Sequence, residues 1–321
     1  MSVTLSIVIP VYNGAGFIAE TVKACLNQTY RDFEVVVVND GSKDTTADEL
    51  AQFGDAIRVI TIPNGGVSNA RNVGVRACRG DYVAFLDADD IWYPDKLERH
   101  LQAMLQYPDV GFSCSNYKVR YKGADTSVHF DQFANDAQMI FDQPMDGDTV
   151  FQVLIRCNFV GTCSNVIARR ALLEEAGLFD TTLRQAEDYD LWLRCALRSR
   201  FLLVSAPLLV KVTHDSNLTN NLVETWQYHE RVLTALLAGD AIAQRPHLRG
   251  AILHELSEVR YIIGNRLFNR GQSGAAFRYF FAALGSQWSV SNISAFGGHA
   301  SRKALRLLLE TLKLRKPYRE F

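Results

Sequence analysis

Two carboxylates stand one residue apart at Asp87 and Asp89, directly after the apolar run Tyr82, Val83, Ala84, Phe85 and Leu86. On an extended segment alternate side chains project to the same side, so this pair can ligate one hard cation or hold its coordinated waters. Such a cation keeps phosphate oxygens among its remaining ligands, which suggests a diphosphate partner. The same acids, with Asp90, would also serve as caps for a helix beginning near Pro94. A second feature is Asn64, Gly65 and Gly66 leading to Asn69, Ala70, Arg71 and Asn72. This reads as a glycine-bearing turn into a helix, where free backbone N–H groups and the helix dipole favour an anion. Arg71 would add a guanidinium fork there, or else pair with an acid on the surface. The third feature is Glu187 and Asp188, which open the helical run Tyr189, Asp190, Leu191, Trp192, Leu193 and Arg194. First-turn acids often do no more than cap. Neighbours on a helix point about 100° apart, so at most one of Glu187 and Asp188 can aim fully into a site. The other is left to orient Arg71 or a backbone amide.

These groups need a scaffold that brings them to one edge. The first half of the chain alternates short β-branched runs with helical stretches, and residues 5–10, 33–39, 57–62 and 81–87 read as strands. The unbroken run Val35, Val36, Val37 and Val38 suits a strand covered on both faces, which flanking helices provide. A parallel sheet follows, and in such sheets ligands bind past the carboxyl ends of the strands. Those ends carry Pro10, Val11, Tyr12 and Asn13; Asn39, Asp40, Gly41 and Ser42; Pro63, Asn64, Gly65 and Gly66; and Asp87, Ala88, Asp89 and Asp90. Every strand delivers turn-forming or acidic residues to the same side. After Asp109 the rhythm becomes irregular, and the polar stretch 121–148 reads as a surface excursion. A helix near 149–156, a strand near 165–168 and a helix over 187–198 return the chain to the core. From about residue 220 the pattern is helical, with a stop at Gly271 and a further helix over 274–284.

The 34 Lys and Arg against 35 Asp and Glu leave no global field to draw nucleic acid or an anionic membrane. The six cysteines lack zinc-ligand spacing and read as reduced, buried thiols. The amino terminus lacks a signal-peptide pattern, and residues 279–301, though uncharged, are too polar for a spanning helix. A cytoplasmic protein is expected, at most peripheral on the membrane. Neither GxGxxG nor the Walker pattern occurs, so dinucleotide and P-loop readings lose support.

Taken together, the chain resembles the family 2 glycosyltransferases, inverting enzymes of the GT-A fold. The resemblance rests on Ser6 to Asn13, on Val38, Asn39, Asp40, Gly41 and Ser42, and on Asn64, Gly65 and Gly66 with Asn69 to Asn72. It continues through Arg79 to Asp90, Gly177, Leu178, Phe179 and Asp180, and Glu187 to Trp192, covering roughly residues 3–215. It implies an α/β, Rossmann-like, mostly parallel sheet with flanking helices over 1–215, the donor half in about 1–110 and the acceptor half in about 111–215. A helical carboxyl-terminal extension takes 216–321. It also implies that Pro10 and Tyr12 pack around a nucleotide base and that Asp40 accepts a hydrogen bond from it, which suits uracil. Asn64 and Arg71 would line the base and phosphate side, Asp87 would contact the ribose or metal-bound diphosphate, and Asp89 would ligate Mg²⁺ or Mn²⁺. Asp188 would be the general base, and His214 would stand near the metal and diphosphate. The partners implied are a nucleotide-diphospho-sugar donor and a sugar or lipid-linked glycan acceptor, in cell-surface polysaccharide or glycoconjugate assembly. The Gln-x-x-Arg-Trp motif and spanning helices of the processive synthases are missing, which favours single-sugar transfer.

Residues 300–316 mix six leucines with six basic residues. Such a segment suits an anionic bilayer, a last helix docked on the protein, or a homodimer contact. Two other functions remain to be weighed. A sugar-nucleotide nucleotidyltransferase would carry a basic glycine-rich loop after the first strand, and residues 10–17 contain no basic residue. A non-catalytic nucleotide-sugar-binding scaffold would have no use for a general base.

Overall fold

A computed structural model of the chain describes residues 4–121, 123–130, 140–213 and 222–286. The chain divides into two compact units between Asn220 and Asn221.

The first unit runs β1 (Leu5–Val11), α1 (Ile18–Leu26), β2 (Phe33–Asn39), α2 (Thr46–Ala51), β3 (Arg58–Thr61), α3 (Val67–Ala77), β4 (Tyr82–Phe85), β5 (Ile91–Trp92) and α4 (Lys96–Gln106). It continues with β6 (Val110–Tyr121), β7 (Ala124–Val128), β8 (Pro144–Met145), α5 (Gly147–Arg156), β9 (Val166–Arg169), α6 (Arg170–Glu175), α7 (Glu187–Ala196) and β10 (Arg200–Thr213). The strands form one sheet in the order β3-β2-β1-β4-β9-β6-β10-β5, with β7 on β6 and β8 on β10. Strands β3, β2, β1 and β4 are parallel. Antiparallel pairing enters with β9, which lies between β4 and β6, and β6 pairs β10 in parallel again.

Period-2 alternation in β2 explains the layering. Val35 and Val37 pack with Ile18, Val22 and Cys25 of α1 and Leu50 of α2, while Val36 and Val38 pack with Ala70 of α3. Helices therefore cover both faces. A methyl group at Gly74 would lie 2.4 Å from Val8 Cγ1, so the glycine lets α3 lie close on β1. The chain steps outward from β1 to β3, then returns through α3 to β4 on the other side of β1. That reversal creates a crevice past the carboxyl ends of β1 and β4.

Strands β6 and β10 are long, and neither is foreshadowed by the irregular pattern after Asp109. Buried polar residues interrupt β6: Ser115 donates to Asn165 Oδ1 through both N–H (2.9 Å) and Oγ (2.8 Å), and Asn165 Nδ2 returns a bond to Ser115 O. Strand β10 carries Pro207 and shifts register on either side of it. All six cysteines are free thiols.

Lys96, fully buried, lies beneath this sheet. Its ammonium reaches His100 Nε2 (3.2 Å), Asn165 O (3.2 Å) and Ser115 Oγ (3.4 Å), and sits 5.5 Å from the centre of the Trp92 ring. No carboxylate pairs with it among the described residues. Burial lowers its pKa from 10.5 to about 7. Between those two values the unfolded chain binds a proton that the folded chain does not, so stability should climb as pH rises from about 7 towards 10.5. Lys96→Met should flatten that climb in thermal melts and raise the melting temperature near neutral pH. Parallel curves for the two proteins across that window would remove Lys96 from the explanation.

The second unit comprises α8 (Leu222–Ala238), α9 (Asp240–Ala243), α10 (Pro246–Asn269) and α11 (Ser273–Ser286). Gly271, with φ +76°, separates α10 from α11. Arg260 of α10 pairs with Glu230 of α8 at 2.7 Å and donates to Ala282 O of α11 at 3.2 Å, which ties three helices together. No described helix is long and apolar enough to cross a membrane. The basic leucine-rich segment 300–316 lies outside the described residues.

Candidate active site

The loops leaving β1 and β2 are laced together. Backbone N–H groups of Asn13, Gly14, Ala15 and Gly16 donate to Ser42 Oγ (2.9 Å), Thr46 Oγ1 (2.8 Å), Asp44 Oδ2 (3.0 Å) and Glu49 Oε1 (2.8 Å). The amides before α1, which would cradle a phosphate in a glycine-rich loop, are thus filled by the protein's own side chains. Pro10 is buried within β1, and Tyr12, just past its end, is 47% exposed.

Asp40, at the end of β2, accepts from Gly65 N–H (2.8 Å) and Gly66 N–H (2.9 Å), while Asn64 Nδ2 donates to Asp40 O (3.1 Å). The turn into α3 was expected to offer those amides to an external anion. The structure corrects this: the anion they hold is the Asp40 carboxylate, brought within reach by the parallel neighbours β2 and β3. Asp40, only 3% exposed, and Asn64 therefore fix the turn into α3.

Arg71 is not a surface fork. On the buried side of α3 and only 5% exposed, it bonds Asp87 Oδ1 through Nη2 (2.7 Å) and Glu187 Oε1 through Nη1 (2.8 Å). Its guanidinium also lies 5.3 Å from the centre of the Phe179 ring. It joins the end of β4 to the start of α7, and its bond to Glu187 alone spans 116 residues of sequence. A reciprocal amide pair fixes the approach to α7: Asn72 Nδ2 donates to Phe179 O (2.9 Å) and Phe179 N–H to Asn72 Oδ1 (3.0 Å). Ala186, at the N-cap of α7, is left-handed with φ +61°, a conformation that costs a residue with a Cβ about 1 kcal/mol. Burial, then the charge of Asp188, pushes the Glu187 carboxyl up against the pull of Arg71. Asp188 stays partly exposed, with Oδ1 accepting from Tyr189 N–H at 2.7 Å.

The acidic turn after β4 is held from three directions. Thr21 Oγ1 of α1 donates to Ala88 O (2.7 Å), Asp87 N–H donates to Ser164 Oγ (2.9 Å), and Thr162 Oγ1 lies 3.3 Å from Asp87 Oδ2 and 3.4 Å from Asp90 Oδ2. Asp90 also accepts from Val212 N–H of β10 at 2.9 Å. Burial, reinforced by the charges of Asp87 and Asp89, pushes the Asp90 carboxyl up to about 8. Asp87 and Asp89 are the partly exposed pair. They offer hard oxygen ligands, and a divalent cation held by one or two carboxylates would complete its shell with phosphate oxygens and water. Among the described residues no three His, Cys, Asp or Glu side chains converge to form a closed metal cage. His214 lies outside the described residues. The sequence reading passed over Thr162, Ser164 and the separate environment of Asp90; the only signal for the first two is a run of small polar residues just before β9.

The family profile of glycosyl transferase family 2 matches residues 6–175. The chain belongs to this family. An uncharacterized glycosyltransferase of Rickettsia typhi is 30% identical over 257 residues, which span 79% of this family 2 chain and 78% of that one. Among solved structures, residues 1–349 of S. aureus TarS in complex with UDP-GlcNAc align with a TM-score of 0.60 at 17% identity, over 89% of this chain and 93% of that one. Mannosyltransferase PcManGT from Pyrobaculum calidifontis, in complex with GDP-Man and Mn²⁺, aligns at 0.58 and 18%, over 93% and 82%. The mixed sheet with its flanking helices is accordingly a GT-A fold, with extra helices at the carboxyl-terminal side, and the family 2 chain is a glycosyltransferase.

Proposed function

We propose that the protein is an inverting, non-processive, metal-dependent transferase that moves one hexosyl unit from a nucleotide-diphosphate donor, with UDP favoured, to an acceptor hydroxyl. The observation that carries this reading is the Arg71 bridge, which draws Asp87 and the neighbouring Asp89 towards the helix start bearing Asp188. The structural neighbours in complex with UDP-GlcNAc and with GDP-Man and Mn²⁺ support a nucleotide-sugar donor and a divalent ion.

In this mechanism Pro10, Tyr12, Asp40 and Asn64 border the base, and Asp87 and Asp89 hold the diphosphate end. A divalent cation bound by Asp89 and Asp87, with His214 nearby, would neutralise charge on the departing diphosphate. Asp188 removes the proton from the acceptor hydroxyl as that oxygen bonds to the anomeric carbon on the face opposite the leaving group. Arg71 keeps the two halves in register, and Glu187 acts through Arg71. Residues 1–215 carry this chemistry, and the carboxyl-terminal part of the chain, helical over its described residues 222–286, would suit dimer or peripheral contact at the cytoplasmic face of a membrane. A sugar or lipid-linked glycan in surface-polysaccharide assembly is the acceptor this arrangement would serve.

The test is thermal stabilisation by UDP, GDP, dTDP and CMP, each with and without Mn²⁺, on the wild type and Asp89→Asn. One nucleotide should raise the melting temperature only with metal, and the rise should fade in the variant. No shift with any nucleotide at about 1 mM would overturn the donor-site assignment.

A further inference from the structure

Tyr117 of β6 is 2% exposed, yet its hydroxyl makes no hydrogen bond to any described residue. The hydroxyl oxygen itself is not sealed from solvent, so its O–H is free to donate to a ligand that reaches it. The ring is locked in place: it stacks on His129 with centroids 4.2 Å apart, and His129 Nε2 donates to Phe159 O at 2.8 Å. Burial holds His129 down at about 4, so this wall is neutral.

The hydroxyl abuts the loop that steadies the acidic turn. A methyl group at Gly161, where φ is +69°, would come within 2.1 Å of Tyr117 Oη and 3.2 Å of His129 Nε2. The next residue, Thr162, contacts Asp87 and Asp90. A cation meets the same glycine: Lys211 Nζ of β10 donates to Gly161 O at 2.8 Å. Lys211 stands opposite Val119 in the β6–β10 register, two residues beyond Tyr117, and so on the same face. Its half-buried ammonium makes no ion pair among the described residues and keeps two N–H groups for another acceptor. Besides burial and Cys114, the charges of Asp90 and Asp188 both press the Tyr117 phenol upwards, which sets its hydroxyl within the field of both carboxylates.

We propose that Tyr117 Oη and Lys211 Nζ form a subsite that reads hydrogen-bond-accepting oxygens of the transferred sugar. This rests on the proposed donor reading. With the diphosphate at Asp87 and Asp89 and the base at Asp188, the sugar must lie between them, because the base has to reach a hydroxyl aligned opposite the leaving group. Two directional donors, one neutral and one cationic, beside a glycine that lets the Tyr117 hydroxyl pack against its backbone, suit ring hydroxyls or an acyl carbonyl.

Calorimetric titration of the full chain with Mn²⁺ and UDP, UDP-glucose, UDP-galactose, UDP-N-acetylglucosamine, GDP and GDP-mannose tests this in the wild type, Tyr117→Phe, Lys211→Met and Lys211→Arg. For the sugar nucleotide that the wild type binds most tightly, Tyr117→Phe and Lys211→Met should each weaken binding about tenfold. Free UDP or GDP should change by less than about twofold, and Lys211→Arg should recover most of the loss. Tyr117→Phe should melt no lower than the wild type, since it removes an unpartnered hydroxyl. If the ratio of sugar-nucleotide to nucleotide affinity is the same in the wild type and both variants, the subsite is wrong while the donor reading stands. If the wild type binds none of these nucleotides, the donor reading fails and the subsite fails with it.

Discussion

Asp188→Asn is expected to slow sugar transfer by about 10² or more, because an amide cannot take the acceptor proton that the carboxylate would accept. Nucleotide affinity should stay within a few-fold of the wild type, since Asp188 makes no bond to the Asp87 and Arg71 pair. The fold should also survive. The side-chain oxygen that accepts from Tyr189 N–H is retained in asparagine, so the start of α7 keeps its local bond. Glu187→Gln makes the informative contrast. Glu187 faces Arg71 at 2.8 Å and is largely buried, so its replacement should disturb the bridge and the protein's stability before it disturbs proton transfer. Initial rates of nucleotide diphosphate release, measured beside nucleotide titrations and melts for both variants, separate the two roles. If Asp188→Asn keeps more than about a tenth of the wild-type rate while Glu187→Gln loses nearly all of it, the base assignment moves to Glu187.

Some of this arrangement was legible in the sequence because local chemistry decides it. The run of four valines in β2 has few places to go except a strand covered on both sides, and strand ends in an open parallel sheet point to one crevice. The two neighbouring acids of α7 illustrate the same point. Helical geometry alone sends them in different directions, and Glu187 is the one that meets Arg71. Long-range pairing was not legible. Strand β6 looks irregular because Ser113, Ser115 and Asn116 are buried polar residues whose partners lie mostly on other segments, Asn165 above all. Strand β10 hides behind Pro207. The Asp40 carboxylate and the Gly65 and Gly66 amides each looked ready for a ligand, and they satisfy each other. Asp87, Asp89 and Asp90 read as one acidic run, yet only Asp90 is buried, because Thr162 from the loop before β9 and Val212 from β10 close over it.

Arg71 is where stability and the site meet, and its removal should have the largest effect on folding. Arg71→Met leaves Asp87 and the more deeply buried Glu187 without their cation, with Asp188 adding a like charge beside Glu187. Breaking one side of a buried ionic network costs about 3–5 kcal/mol. The partial exposure of Asp87 puts the expectation nearer the lower figure, and the Nε of Arg71, buried without a hydrogen-bond partner, already subtracts from what the arginine contributes. Arg71→Lys keeps the charge but replaces a planar fork by a single ammonium, which can hold one carboxylate well and not two on opposite sides; it should fall between the wild type and Arg71→Met. Pairing Arg71→Met with Glu187→Gln removes the buried charge that the single variant strands, so the double variant should be more stable than Arg71→Met alone. Chemical denaturation of the four proteins checks this ordering. A loss under about 1 kcal/mol in Arg71→Met would mean that the carboxylates find water or protons at little cost and that the bridge does not hold β4 against α7. The expected ordering, together with weakened metal-dependent nucleotide binding in Arg71→Met, would tie the position of Asp87 and Asp89 to that one buried side chain.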